Sequence, residues 1–376
     1  MPVEFYRPTW AEVDLDAIRH NVTEMKKRLD ANSDVMAVVK ANGYGHGAIK
    51  VAEAAIEAGA TSLGVSLLEE AIALRKNGFT VPVLVFGWVS PEDAPKAAAN
   101  DVTITFFQQE WLEAAARLSY DRTLKLHMKW DTGMGRIGIR TSNELVFLLN
   151  TLQAISKQKD FQLTGVFTHF ATADEFELDY FRMQSNRFKE LFKTFSSHWK
   201  QSVHVHIGNS AAAIRFPESM QKFVRFGISL YGLYPSKVVR NERTIDLKPA
   251  FSLKCRLTHV KQIPPNESIS YGATYTTTEH EWIGTIPIGY ADGWIRKLQG
   301  MDVLVDGKRM PIVGRICMDQ AMIKLDQSYP VGTLVTLIGE QGDGIIEMDE
   351  IADYLGTINY EIPCTITERV PRLYKG

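Results

Sequence analysis

Over the first two-thirds of the chain, short β-branched runs alternate with longer amphipathic stretches. The runs are Val35–Val39, Ser62–Val65, Val83–Phe86, Val102–Thr105, Leu124–Lys129, Leu163–Phe167, Val203–Ile207 and Phe223–Phe226. Between them, Glu69–Lys76, Gln109–Leu118, Glu144–Ile155 and Tyr180–His198 repeat apolar residues at helical spacing. Eight strand-like runs separated by helix-like sequence predict a parallel sheet closed as a (β/α)8 barrel, with an open doubly wound sheet as the alternative. The pattern changes after about Tyr234. FSLKCRLTHV, WIGTIPIG, MDVLVDG, MPIVGRICMD and GTLVTLIG read as strands with turn breaks. Only Met348–Leu355 reads clearly as helix there, with Asp349 near its start and Gly356 just past its end. The expected organisation is a barrel over residues 1–240 and a mostly β domain over 241–376, the boundary falling in the polar segment Pro235–Lys248.

Composition narrows the class without changing the architecture. Apolar residues make up 45 % of the chain and charged residues 23 %, the range of an ordinary globular protein. A formal net charge of -2 favours neither nucleic acid nor an anionic membrane as partner. Apolar stretches such as Val81–Val89 are too short for a membrane-spanning helix. The first residues, MPVEFYRPTW, lack the features of a secretory signal, and the expected location is the cytoplasm. Cys255, Cys317 and Cys364 are spaced for neither a disulfide framework nor a zinc site.

Barrels of this type carry their chemistry at the C-terminal ends of the strands. Lys40 ends the first strand, and Lys129 ends the fifth, with Asp131 and Arg136 in the following loop. His169 follows the sixth, Asn209 and Ser210 follow the seventh, and Arg225 and Gly227 lie at the end of the eighth. Loops after the last two strands commonly bind phosphate, and Ser210, Gly227 and Ile228 are placed for that role. One lysine, one phosphate cradle and several cations suit a phosphorylated aldehyde such as pyridoxal phosphate. Taken alone, Lys40 reads as a solvated strand end. The glycines at 43, 45 and 47 alter that reading, because they let the backbone turn tightly beside the lysine.

AVVKANGYGHG resembles the cofactor-lysine motif of the alanine racemases. The resemblance runs through TWAEVDLDAIRHN, KWDTGMGRIG, THFATAD, HIGNSAA, VRFGISLYG, SYGATY, IPIGYADGW, GRICMDQ and NYEI, covering essentially the whole chain. Trp130 is bulkier than the residue expected in its slot. The resemblance implies that Lys40 joins pyridoxal phosphate through a Schiff base. Tyr44, Asn209, Ser210, Gly227, Ile228 and Tyr360 would hold the cofactor, and Arg225 would face its pyridine nitrogen. Tyr271, supplied by the partner subunit of a head-to-tail homodimer with shared active sites, would be the second base. Arg136 and the Met318 backbone would bind the substrate carboxylate. Lys129, if carbamylated, would hold Arg136 in place. Tyr290, Arg296, Asp174 and Ile358 would line the entrance. The implied activity is interconversion of L- and D-alanine, supplying D-alanine for peptidoglycan.

Racemisation needs a proton removed from one face of the α-carbon and another returned to the opposite face, hence two acid/base groups. A close cation makes a phenol usable as one of them, worth about 4 kcal/mol at an effective dielectric near 20. His169 hydrogen-bonded to both Tyr271 and Arg225 would relay that charge. A guanidinium beside the pyridine nitrogen does not readily give up a proton, so the ring should remain a weak electron sink and side reactions should be suppressed. A barrel-type pyridoxal decarboxylase would present a carboxylate there instead. A pyridoxal-carrying homeostasis protein would lack the second domain. A serine or broader-specificity racemase stays open, because one methylene or hydroxyl is discriminated by only ~1–3 kcal/mol. GMGRIG at 133–138 also fits a dinucleotide-binding pattern, but no acidic residue ends the next strand. His204 and His206 alternate on one strand and read as barrel lining, since no third metal ligand lies nearby.

Overall fold

The computed structural model describes residues 5–30, 33–220 and 223–376. The chain forms two compact units. One comprises Ala17–Gly43 and Ala48–Lys248; the other comprises the segment through Asp16, Tyr44–Gly47 and Pro249–Gly376.

The first unit is built on eight parallel strands: β2 (Asp34–Val38), β3 (Ser62–Val65), β4 (Val83–Val85), β5 (Thr103–Phe106), β6 (Leu124–Lys129), β7 (Phe161–Phe167), β8 (His204–His206) and β9 (Phe223–Phe226). They pair in the order β8-β7-β6-β5-β4-β3-β2-β9. The ring is completed by a parallel bridge between Gly208 and Val224, reinforced by Arg225 N–H donating to the Gly208 carbonyl at 3.1 Å. The eight runs expected from sequence are these eight strands, in chain order. The helices between them form where the apolar spacing places them, at Leu68–Lys76, Gln109–Ala116, Ser142–Ser156 and Asp179–His198. Thr141 and Glu144 start one of them with a reciprocal cap. The Thr141 hydroxyl accepts from Glu144 N–H at 3.2 Å, and the Glu144 carboxylate accepts from Thr141 N–H at 3.0 Å. Parallel pairing brings all eight C-terminal strand ends to one mouth, which is what assembles the reactive residues.

The second unit is a sheet-rich body. Its strands are β1 (Thr9–Asp14), β10 (Phe251–Arg256), β11 (His259–Ile263), β14 (Glu281–Ile286), β15 (Asp302–Val305), β16 (Lys308–Val313), β17 (Ala321–Leu325), β18 (Leu334–Gln341) and β20 (Arg372–Lys375). They pair in the order β11-β14-β17-β16-β15-β18-β10-β1-β20. The small ribbon β12 (Ser268–Ile269) and β13 (Tyr275–Thr276) stands apart, and β19 (Gly344–Ile346) pairs with β18. Although β1 opens the chain, it lies antiparallel to β10 and parallel to β20, which is why the N-terminal segment clusters with this unit. The helix Met348–Leu355 forms and stops at Gly356, whose φ of 73° provides the left-handed cap. A second short helix, Glu361–Thr365, follows; five residues carry too little periodicity to be read from sequence.

Among the described residues, no helix is long and apolar enough to cross a membrane.

Candidate active site

Lys40 sits immediately after β2, at the start of an unusual turn. Ala41, Asn42, Gly43 and Tyr44 have φ of 51°, 52°, 62° and 49°, a full turn of left-handed backbone. Three of the four are not glycine, and each such residue costs roughly 1–2 kcal/mol against the right-handed form. The turn is therefore held from outside. Gly43 N–H donates to the Val39 carbonyl at 2.9 Å. The Asn42 side-chain oxygen accepts from Ala48 N–H at 3.0 Å, and Glu70 accepts from Ala41 N–H at 2.6 Å. The other oxygen of Glu70 accepts from Ser66 and Leu67 N–H at 2.9 and 3.1 Å, so one carboxylate both starts the helix Leu68–Lys76 and fixes the lysine turn. Sequence reasoning missed Glu70. The available signal was its place in the first turn of a helical pattern, where acidic residues cap.

Arg225, on β9, is 4 % exposed, and both terminal nitrogens are tied down. One donates to the His206 carbonyl at 2.7 Å and to His206 Nδ1 at 3.1 Å. The other donates to the Thr168 carbonyl at 2.8 Å, His169 Nδ1 at 3.2 Å and the Ile207 carbonyl at 3.3 Å. Burial, with Arg136 adding repulsion, pushes the guanidinium down to about 9, still charged at neutral pH. Because a guanidinium only donates, these contacts fix the imidazole tautomers. His169 accepts at Nδ1 and carries its proton on Nε2. His206 does the same, so its Nε2–H donates to His127 Nδ1 at 3.0 Å. Both His169 and His206 are held neutral, well below the usual imidazole range, chiefly by burial. His127 is pushed down to about 3 for the same reason. The His127 ring lies where a side chain on Gly165 would stand, 2.5 Å from the position of a Cβ there.

The structure thus gives His206 a specific lining role, bonded to Arg225. His127 joins it, unpredicted, although period-2 alternation in LKLHMK sets His127 on the same face as Lys129.

Lys129 is 2 % exposed, and its amine donates to the Trp130 carbonyl at 2.8 Å. Burial first, then the charges of Arg225 and Arg136, push it down to about 7, so a large neutral fraction exists at physiological pH. Trp130, buried between Phe188 and Phe195 at 5.3 and 5.7 Å, anchors that carbonyl. Arg136 is exposed on the next loop. Buried Asp131 shapes that loop by accepting from Gly133 and Gly135 N–H at 3.0 and 2.9 Å. His169 feels the charges of Arg225, Lys129, Arg136 and Lys40 together, so these cations converge on one mouth and favour an anionic ligand.

At the end of β8, the Asn209 side chain caps the helix Ser210–Arg215, accepting from Ala212 N–H at 3.0 Å and donating to the Phe170 carbonyl at 3.2 Å. The Ser210 hydroxyl accepts from Gly227 N–H at 3.0 Å. Ile228 is buried, and its N–H makes no backbone hydrogen bond among the described residues. A buried unused N–H, a hydroxyl with its proton still to donate, and nearby cations fit the phosphate of pyridoxal phosphate, and Lys40 fits its aldehyde. Asp174 also belongs to this unit; burial raises its carboxyl, and its carbonyl accepts from Ser236.

The remaining expected residues lie in the second unit. Tyr44 and Tyr360 bring their rings to 6.3 Å, and burial pushes the Tyr44 phenol up. Tyr271 is 71 % exposed on a strained loop: the preceding Ser270 has φ 67° and ψ -178°, a region other residues leave to glycine. The Met318 carbonyl accepts from Ala291 N–H at 3.0 Å, and that of Cys317 accepts from Tyr290 N–H at 3.1 Å, which locks the ICMD and GYAD segments together. Tyr290, Arg296, Met318 and Ile358 are all exposed. Asp292, fully buried, anchors the same turn through Arg7 at 2.7 Å and Gly289 N–H at 3.0 Å. Among the described residues, no group of three His, Cys, Asp or Glu side chains is placed to hold a metal ion.

Two family models account for nearly all of the chain: the alanine racemase N-terminal domain over residues 13–235 and the C-terminal domain over residues 250–374. The chain belongs to the alanine racemase family. It is 53 % identical to alanine racemase 1 of Bacillus subtilis, covering 98 % of this chain and 94 % of that protein. The solved alanine racemase of Bacillus anthracis with bound L-Ala-P superposes with a TM-score of 0.96 at 49 % identity, covering 100 % of this chain and 96 % of that one. A histidine racemase from Leuconostoc mesenteroides superposes at 0.90 with 32 % identity, covering 99 % of each chain. The same fold therefore serves racemases named for different amino acids.

Proposed function

We propose that the protein interconverts L- and D-alanine with pyridoxal phosphate by a two-base proton exchange. The observation that carries this reading is Arg225, a buried, charged donor fixed within the cationic mouth that also holds Lys40. Pyridoxal phosphate, when bound, supplies an aldehyde that condenses with amines and a ring that draws electrons from the α-carbon. Lys40 would hold the aldehyde, and its amine would move the proton on one face of the α-carbon. Ser210, Gly227 and Ile228, with Tyr44 and Tyr360, would hold the phosphate; Asn209 positions Ser210 by capping its helix. Arg225 would be the donor offered to the pyridine nitrogen. Arg136 and the Met318 N–H orient the substrate carboxylate, and a carbamate on Lys129 would hold Arg136. Tyr271, supplied by the partner subunit, would move the proton on the other face, with His169 as its hydrogen-bond partner. Tyr290, Arg296, Asp174 and Ile358 limit entry to small substrates. The product serves peptidoglycan synthesis from the cytoplasm.

Incubation with L-alanine in deuterated water tests the proposal. Loss of optical activity with deuterium entering the α-carbon is expected; retained optical purity refutes it. The second reading, a serine or broader-specificity racemase, is not favoured: relatives named alanine racemase reach 52 and 53 % identity over nearly the whole chain, against 32 % for the histidine racemase. The same assay with histidine and serine separates the two.

A further inference from the structure

The end of the barrel opposite Lys40 carries a cavity that this chemistry leaves unused. It has a volume of about 430 Å³ and opens among the N-terminal ends of the strands. Met36, Leu84 and Phe223 pack together as its apolar floor. Asp34 and Ser62 line it from the adjacent strands β2 and β3, whose register pairs Met36 with Ser62. Asp101 and Lys125 also line it; Asp101 holds Lys125 at 2.5 Å and, from outside the lining, Arg75 at 3.8 Å.

Two features are unexplained by folding alone. Ser62 is 2 % exposed, and its hydroxyl has no hydrogen-bond partner among the described residues. Such a group is costly to leave unmade and is rare in native cores. Asp34 lines the same space, beside His127 and His204, and is the lining carboxylate that no salt bridge engages among the described residues. Pockets of this size, mostly apolar with a few placed polar groups, are the usual form of small-molecule sites.

We propose that this mouth binds a small organic cation. Its ammonium faces Asp34, its N–H donates to the Ser62 hydroxyl, and its apolar body lies on Met36, Leu84 and Phe223. The Phe223 ring adds an aromatic face for the positive charge. An anion is disfavoured, because the cavity's ammonium is already committed to Asp101.

The probe is N,N-dimethyl-2-phenylethylammonium. As a tertiary amine it cannot condense with an aldehyde, so it cannot react where Lys40 does. Calorimetry and saturation-transfer NMR on the holoenzyme should show saturable binding that persists under saturating alanine. That independence separates this site from the catalytic one, and it holds whichever amino acid the enzyme racemises. Asp34→Asn should weaken binding by about tenfold or more, the size of effect expected when a close opposite charge in a partly buried site is removed. Ser62→Ala should weaken it by roughly threefold or more without lowering Tm, since it removes a hydroxyl that the fold does not satisfy. The neutral isostere isopentylbenzene should bind more weakly than the cation. Absence of saturable binding, displacement by alanine, binding unchanged in both variants, or equal affinity for the isostere would each overturn the proposal.

Discussion

Arg225 makes five polar contacts and leaves its guanidinium little freedom, so its charge is a fixed feature of the mouth rather than an induced one. Replacing it with glutamate reverses the charge that, on the proposed reading, faces the pyridine nitrogen, and removes the donor to both imidazoles. Racemisation should fall by about 10²–10³-fold, with transamination of alanine to pyruvate becoming detectable. Unchanged racemisation without pyruvate would remove Arg225 from the mechanism. Lys129 carries a second prediction. Its amine titrates near 7 in the folded chain, against 10.5 for an exposed lysine. The folded state therefore binds fewer protons than the unfolded one between those values, and stability should rise with pH across that window. Urea midpoints at pH 6 and pH 9 should show the rise, and Lys129→Met should flatten it. The neutral amine is also the form that adds carbon dioxide. With 13C-labelled bicarbonate, a carbamate signal should grow from pH 6 to pH 8 and be absent in Lys129→Ala. At this scale, the residues legible in sequence were those at strand ends, where a position along the strand fixes a place at the mouth. His127 and Glu70 were not legible, because their partners, His206 and Ala41, lie far along the chain and no local pattern links them.

The lysine turn shows how much an element depends on a neighbour. Ala41, Asn42 and Tyr44 hold left-handed backbone that their side chains oppose, and Glu70 bridges that turn to the start of the next helix. Glu70→Ala should cost about 1–2 kcal/mol through the lost cap alone, read as a lower denaturation midpoint. Racemisation should drop further than stability does, because Lys40 would lose its fixed approach. Glu70→Gln keeps an acceptor and should recover part of both. A variant with lower stability but unchanged kcat would show that Glu70 serves the helix only. The eight barrel strands were legible because most are compact apolar runs bounded by polar sequence, and the polar ones, LKLHMK of β6 and HVH of β8, fall at the spacing that the others set. Neither β1 nor its place was: no strand is read over Thr9–Asp14 from sequence, and its partners β10 and β20 follow more than 230 and 350 residues later. Pairing at that separation is settled by tertiary burial, which a local pattern does not encode.

At the scale of the whole molecule, the proposed second base depends on assembly. Tyr271 is 71 % exposed on a loop that carries a conformational cost at Ser270, whose hydroxyl donates to the Arg315 carbonyl at 2.6 Å and holds the loop while the Tyr271 ring stays exposed. A symmetric dimer would give it a use, since in a two-fold assembly each subunit offers its partner the same surface it receives. Complementation distinguishes this from a base acting within one chain. Lys40→Ala and Tyr271→Phe should each be nearly inactive alone. After joint unfolding and refolding of an equal mixture, half of the dimers are hybrids. Under exchange between subunits, each hybrid has one site with both native groups and one with neither. Activity should therefore return to about a quarter of the wild-type value. If Tyr271 acts in its own chain, no site in any dimer is complete and the mixture stays inactive. Separation of the hybrid by a charge tag, followed by assay of that fraction alone, should give about half the wild-type activity, which excludes wild-type contamination as the source.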